Sequence, residues 1–176
     1  MVKQFYTNPA LRCSFFLTDN STTSLIRESW QLFGSLKTDL YNEPVLISAC
    51  FLGIPCRWHG RRAKRRDELI EQLQRKYVLV PVCPEQLGGM PIPRTSETLQ
   101  GGTGAQVLDE GWRIYAPETG EDMTDYHING AKITLEIAQV VGARRAYLKG
   151  GSPSCDKDGI PGEVLQRGGI KVIRVG

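Results

Sequence analysis

Three short apolar runs do most to constrain this chain. "VLISAC" (45–50), "VLVPVC" (78–83) and "RRAYLKGGSPSC" (144–155) each lead into a cysteine. Stretches of helical period lie around them. "DELIEQLQRKY" sets Leu69, Ile70, Leu73 and Tyr77 on one helical face, with Asp67 as the expected N-cap. "HINGAKITLEIAQVVG" reads as a buried helix stopped by Gly142. A short helix around Glu163–Arg167 and a final strand, "IKVIRV", close the chain. Apolar strands alternating with helices predict βαβ units and a mostly parallel sheet, an α/β fold. "AQVL" and "WRIYA" read as two further strands, expected as a peripheral hairpin. Residues 1–44 look unlike the rest and form an N-terminal extension, with a helix expected from Thr23 to Leu40.

In such a sheet the carboxyl ends of the strands are where sites form. Cys50, Cys83 and Cys155 each fall at, or a few residues past, the end of an expected strand. Three thiols distant in sequence therefore converge in space. Thiolates are soft ligands suited to zinc, copper(I) and iron–sulfur clusters. The paired CxxC or HxxxH spacing of structural zinc is absent, and His59 and His127 have no ligand spacing to each other. Three thiolates on a four-iron cluster would leave one iron open. Free cysteine is also among the most buried residue types, so any one of the three alone could be core. Glu85 follows Cys83 by two residues on a stiff Pro/Gly loop, where a carboxylate could move protons at a metal; the plainer reading is a solvated loop acid. In "GGSPSC", Gly150 and Gly151 permit close backbone approach, Pro153 stiffens the turn, and Ser152 offers a hydroxyl that could equally cap a backbone group.

The totals narrow the class. With 176 residues there is room for one domain with a real core. No apolar run approaches the ~20 residues a membrane helix needs. The N-terminus lacks the apolar core and small-residue cleavage site of a signal peptide. The expected location is the cytoplasm, where thiols stay reduced, and the odd number of cysteines, five, argues against a disulfide scaffold. The net charge of +3 demands no nucleic-acid partner. The basic segment "RRAKRR" (61–66) is either a solvated loop or an electrostatic site for phosphate or RNA. No aromatic-rich RNA-binding signature accompanies it, so a nucleic-acid partner is left open but not favoured.

The ordered set "LISACFLGIPCRWHG", "VPVCPEQLGGMPIPR", "GEDMT" with "NGAKITLEIAQVVGA", and "LKGGSPSC" resembles the thiouracil desulfurase (TudS) family over residues 45–176. The resemblance implies a Rossmann-like three-layer fold and a [4Fe-4S] cluster held by Cys50, Cys83 and Cys155. It implies non-redox hydrolytic removal of sulfur from a small-molecule thiolated pyrimidine, a 2-thiouracil-like base or nucleoside, with release of sulfide. Glu85 would then transfer the proton, and Ser152 would position substrate or water. Other readings of the same fold are an inactive binding or regulatory protein, or a zinc-binding structural domain. Three features depart from the family's usual pattern. Asp156 stands where it usually has Gly, placing a negative charge beside the cluster. "RWHG" stands for RYDG, so His59 replaces an acid. The segment after Cys155 is shortened. Cys56 lies where relatives vary and is a secondary candidate. Subunit number is not set by the sequence.

Overall fold

The computed structural model describes residues 42–95, 102–152 and 154–176. Cys13, Pro153 and the helix expected over 23–40 lie outside these residues. Four strands form one sheet: β1 (Glu43–Ser48), β2 (Tyr77–Val82), β3 (Arg145–Lys149) and β4 (Lys171–Val175). Their order is β2-β1-β3-β4, and every pairing is parallel. The helices are α1 (Asp67–Gln74), α2 (Pro84–Leu87), α3 (Gly104–Glu110), α4 (Thr124–Val141) and α5 (Ile160–Arg167). No helix among the described residues is long and apolar enough to cross a membrane.

The side-chain alternation of the strands builds three layers. Leu46, Ala146 and Leu148 are fully buried on one face, against Ala138 of α4 and Leu165 of α5. Ile47 and Tyr147 point the other way, toward Leu69 and Leu73 of α1. Central strands covered on both faces read as unbroken apolar runs, which is why they were legible in sequence. Each fully buried Leu or Ile contributes about 1.5–3 kcal/mol relative to exposure.

Three expectations fail for local reasons. "AQVL" lies in helix α3, not a strand. Thr103 caps it: its hydroxyl accepts from the Gln106 amide at 3.4 Å, and the Gln106 side chain accepts from the Thr103 amide at 3.0 Å. This reciprocal capping box satisfies two otherwise orphaned donors. "WRIYA" makes only the isolated antiparallel bridge Tyr115–Asp122, so the hairpin does not form. At α1 the N-cap position belongs to Arg66, without a side-chain bond; Asp67 and Glu68 sit in the first turn, where negative charge opposes the helix dipole favourably. The helix expected at 127–142 is α4, and Gly142 ends it with a left-handed φ of 72°.

One crossing fixes the site's position. A Cβ at Gly130 of α4 would overlap the Pro84 carbonyl, and one at Gly88 would overlap the Tyr126 carbonyl. Two glycines therefore let α2 lie backbone to backbone on α4. The crossovers supply the second constraint. β1 connects through α1 to β2 on one side, and β3 connects through α5 to β4 on the other. The strand order thus reverses between β1 and β3, and the crevice of such a sheet opens at that point, at the carboxyl ends.

Candidate active site

Each of the three strand ends delivers one thiol. After β1 the chain tightens into a 3-10 turn, Ala49–Leu52, closed by Gly53 at φ 77°; Cys50 is on this turn. Cys83 is the N-cap residue of α2, and its carbonyl accepts from the Leu87 amide at 3.0 Å. Cys155 follows β3 on a loop in which the Ser152 backbone carbonyl accepts from the Cys155 and Asp156 amides at 3.2 and 2.9 Å. All three thiols are buried. Together with Glu85 and Ser152 they line one cavity of about 170 Å³. Cys50, Cys83, Cys155, Glu85 and Ser152 therefore share one wall, whereas the basic segment 61–66 does not line it.

A fourth thiol, Cys56, lines it too. Cys56 hydrogen-bonds the thiols of both Cys50 and Cys83, which lowers Cys50 to about 7 and lowers Cys83 as well. The same bonds, with burial, push Cys56 up. Burial likewise raises Cys155, although a hydrogen bond from Ser48 opposes it. Two of the thiols are thus biased toward thiolate, the form that binds metal. The buried Cys155 needs the charge of a bound cation to reach that form.

Among the described residues, no three Cys, His, Asp or Glu side chains gather closely enough for a single ion. The thiols wall a cavity of about 170 Å³, roughly six water molecules at ~30 Å³ each, which leaves room for a soft polynuclear group.

Four further residues were not assigned from sequence. Arg94 ends the Pro-rich loop and forms an ion pair with Glu85; its side chain is only 4% exposed. Its amide donates to the Trp58 carbonyl at 2.9 Å, binding that loop to the one carrying Cys56. Ser48, fully buried at the end of β1, accepts from the Lys149 amide at 3.0 Å and serves Cys155. A hydroxyl inside an apolar strand must find a partner, and that was the available signal. Arg57 and Lys149 add positive charge to the cavity wall.

The departures noted in sequence have clear outcomes. Asp156 does not project its charge freely toward the thiols. Its carboxylate accepts from the Gly151 and Lys157 amides, both at 2.6 Å, and pairs with Arg174 at 3.3 Å. His59 accepts from the Arg61 amide at 2.9 Å and stacks edge-on against Trp58, as part of a turn. In the basic segment, Arg62 donates to the Gly53 carbonyl and Arg66 lies over the Phe51 ring. Lys64, Arg65 and Arg66 line an open cleft of about 620 Å³ that shares Cys50, Arg57 and Lys149 with the cavity.

The 2-thiouracil desulfurase family model matches residues 45–171. The chain belongs to this family. It is 40% identical over 111 residues to the uncharacterized protein YbbK of Bacillus subtilis (strain 168), covering 63% of this chain and 72% of that protein. Among solved structures it is similar to the [4Fe-4S]-dependent thiouracil desulfidase TudS, with a TM-score of 0.63 and 28% identity, over 76% of this chain and 91% of that one. The match takes in β1 from Val45, all of β2 and β3, only the first residue of β4, and every residue of the cavity wall named above.

Proposed function

We propose that this protein removes sulfur hydrolytically from a thiolated pyrimidine, a 2-thiouracil-like base or nucleoside, using a [4Fe-4S] cluster held by Cys50, Cys83 and Cys155. The observation that carries this reading is the convergence of those three thiols with Glu85 and Ser152 on one cavity at the switch point of the sheet. The similarity to TudS, a [4Fe-4S]-dependent thiouracil desulfidase, supports it. When bound, such a cluster supplies a Lewis-acidic iron to the thiocarbonyl sulfur.

The remaining work falls to the protein's own side chains. Glu85 is oriented by its ion pair with Arg94, which places its carboxylate to accept a proton from the attacking water. Ser152 accepts at 3.4 Å from the Ser154 amide, which leaves its O–H to donate to substrate or water. Arg57 and Lys149 favour the departing sulfide anion through their charge. The balance is simple: the C–S bond breaks, a C–O bond forms from water, and the two protons of water end on sulfide. Carbon keeps its oxidation state, so no electron donor is required. The test is anaerobic reconstitution followed by incubation with 2-thiouracil. Uracil and sulfide should appear in equal amounts. A protein loaded with iron and sulfide that releases neither overturns the proposal and favours a binding role.

A further inference from the structure

Among the described residues that line the thiol cavity, Trp58 is the one aromatic. Its neighbours in that wall are thiols, charged side chains, a hydroxyl and a glycine. The Trp58 side chain is 45% exposed and joins no core cluster among the described residues, so core packing does not account for it. It is nevertheless held in place. Its carbonyl accepts from the Arg94 amide at 2.9 Å, which ties it to the residue paired with Glu85. The turn that carries it closes by the Gly60 amide on the Arg57 carbonyl at 2.8 Å. A Cβ at Gly60 would lie 3.2 Å from the Ile92 side chain, so this turn rests on the Pro-rich loop. The indole meets the His59 ring at 69°, with centroids 5.0 Å apart. His59 is itself fixed, its Nδ1 accepting from the Arg61 amide at 2.9 Å. A tryptophan has only two side-chain torsions, so a braced one offers a large, flat, apolar surface at small ordering cost.

We propose that Trp58 is the surface on which the substrate's pyrimidine ring stacks, and the residue by which this site selects a planar, unsaturated ring. This deepens the desulfurase reading above and rests on it. Glu85, Lys149 and Ser152 offer a ligand's edge a carboxylate, an ammonium and a hydroxyl. Those groups would serve an acyclic thioamide equally well. An indole instead recognises a face, because one π-system stacks offset on another and every base carries such a face. A saturated ring with the same edge groups puckers and bears hydrogens on both faces, so it forfeits that contact. Trp58 therefore supplies binding and ring selection, while Glu85 and Ser152 act on the reacting atoms.

The experiment compares wild type with Trp58→Phe, Trp58→Tyr and Trp58→Leu, all reconstituted anaerobically and matched in iron and sulfide. The probes are uracil and 5,6-dihydrouracil. They share their carbonyl and N–H groups, differ in planarity, and carry no sulfur to be removed. Titration calorimetry should show wild type binding uracil the more tightly. Trp58→Leu should weaken uracil ~5–150-fold, the loss of one base–aromatic stack, and leave dihydrouracil nearly unchanged. The Phe and Tyr variants should keep most of the preference. With 2-thiouracil as substrate, Trp58→Leu should raise KM by a similar factor and change kcat little, as for a contact made equally before and during the reaction. Wild type that binds the two probes equally, or binds neither, would overturn the proposal. An equal loss for both probes in Trp58→Leu would also overturn it, assigning the ring to shape alone. A loaded wild type that prefers uracil through Trp58 but releases no sulfide from 2-thiouracil sinks the desulfurase reading and leaves the stacking surface. Turnover whose KM is indifferent to Trp58 does the reverse.

Discussion

Replacing Asp156 tests how the loop bearing Cys155 and Ser152 is held. Its carboxylate bonds two backbone amides, Gly151 and Lys157, both at 2.6 Å, so it closes the loop around Ser152. Arg174 of β4 pairs with it at 3.3 Å, and a Cβ at Gly150 would strike the Arg174 side chain. The loop is therefore pinned to the edge strand from two sides. A hydrogen bond to a charged group contributes about 1.5–3 kcal/mol. Both amides are only partly buried and can turn to water, so the pair together is taken as about 2–3 kcal/mol. The Arg174 side chain is 53% exposed, which limits the ion pair to ~0–1 kcal/mol. Asp156→Ala should then cost about 2–4 kcal/mol, or a fall in Tm of about 5–15 °C for a chain of this size. Asp156→Asn keeps one acceptor oxygen and should lose roughly half of that. Arg174→Ala should change Tm by only a few degrees, about 0–4 °C. Scanning calorimetry of the anaerobic protein gives these values, and an iron assay follows the loop's effect on Cys155. An Asp156→Ala protein that melts with wild type and binds iron equally would refute the clamp.

Further outcomes follow from the same geometry. Glu85→Gln should keep its iron and lose turnover by ~10²–10⁴-fold, measured as sulfide release; near-wild-type turnover would return Glu85 to the role of a loop acid. Cys50→Ser, Cys83→Ser and Cys155→Ser should each bind much less iron on reconstitution, and full occupancy in any one removes that residue from the ligand set. Gly130→Ala should destabilise by ~1–3 kcal/mol or more, because its methyl meets the Pro84 carbonyl and α2 cannot yield without moving Cys83; denaturant titration reads this directly. Arg167 holds the Asp109 carboxyl below the usual range. A carboxyl depressed in the folded state adds stability above its unfolded pKa and loses it as pH falls through the folded value. Asp109→Asn should therefore lower Tm modestly at neutral pH, with the two melting curves converging in acid.

The strands and thiols were legible in sequence because fully covered parallel strands leave continuous apolar runs, and each run here ends where its site residue begins. Helix α3 was not legible as a helix. Its apolar core, "AQVL", is too short for periodicity to separate helix from strand. The deciding signal was the Thr103–Gln106 capping pair outside that core. Arg94, Ser48 and Cys56 acquire their roles only through contacts across loops that are distant in sequence, and residue type alone could not supply those partners. Asp156 shows the converse. Its charge was visible, but the amides and guanidinium that engage it were not.

The way the proposed ligands are dispersed dictates an order of assembly. Cys50, Cys83 and Cys155 meet only after the connections that follow β1 and β2 have placed β2 and β3 beside β1. In the unfolded chain no two of them are neighbours, unlike the paired cysteines of a zinc finger, where metal and folding arrive together. A cluster bound by these three cannot act as the nucleus around which the polypeptide condenses. The apoprotein must instead fold by its sheet core alone, through slow non-local strand pairing. Cofactor delivery is then a separate, later event, made to a finished pocket through its mouth. Chelation of iron should empty that pocket while leaving the backbone scaffold folded, and circular dichroism before and after chelation tests this directly.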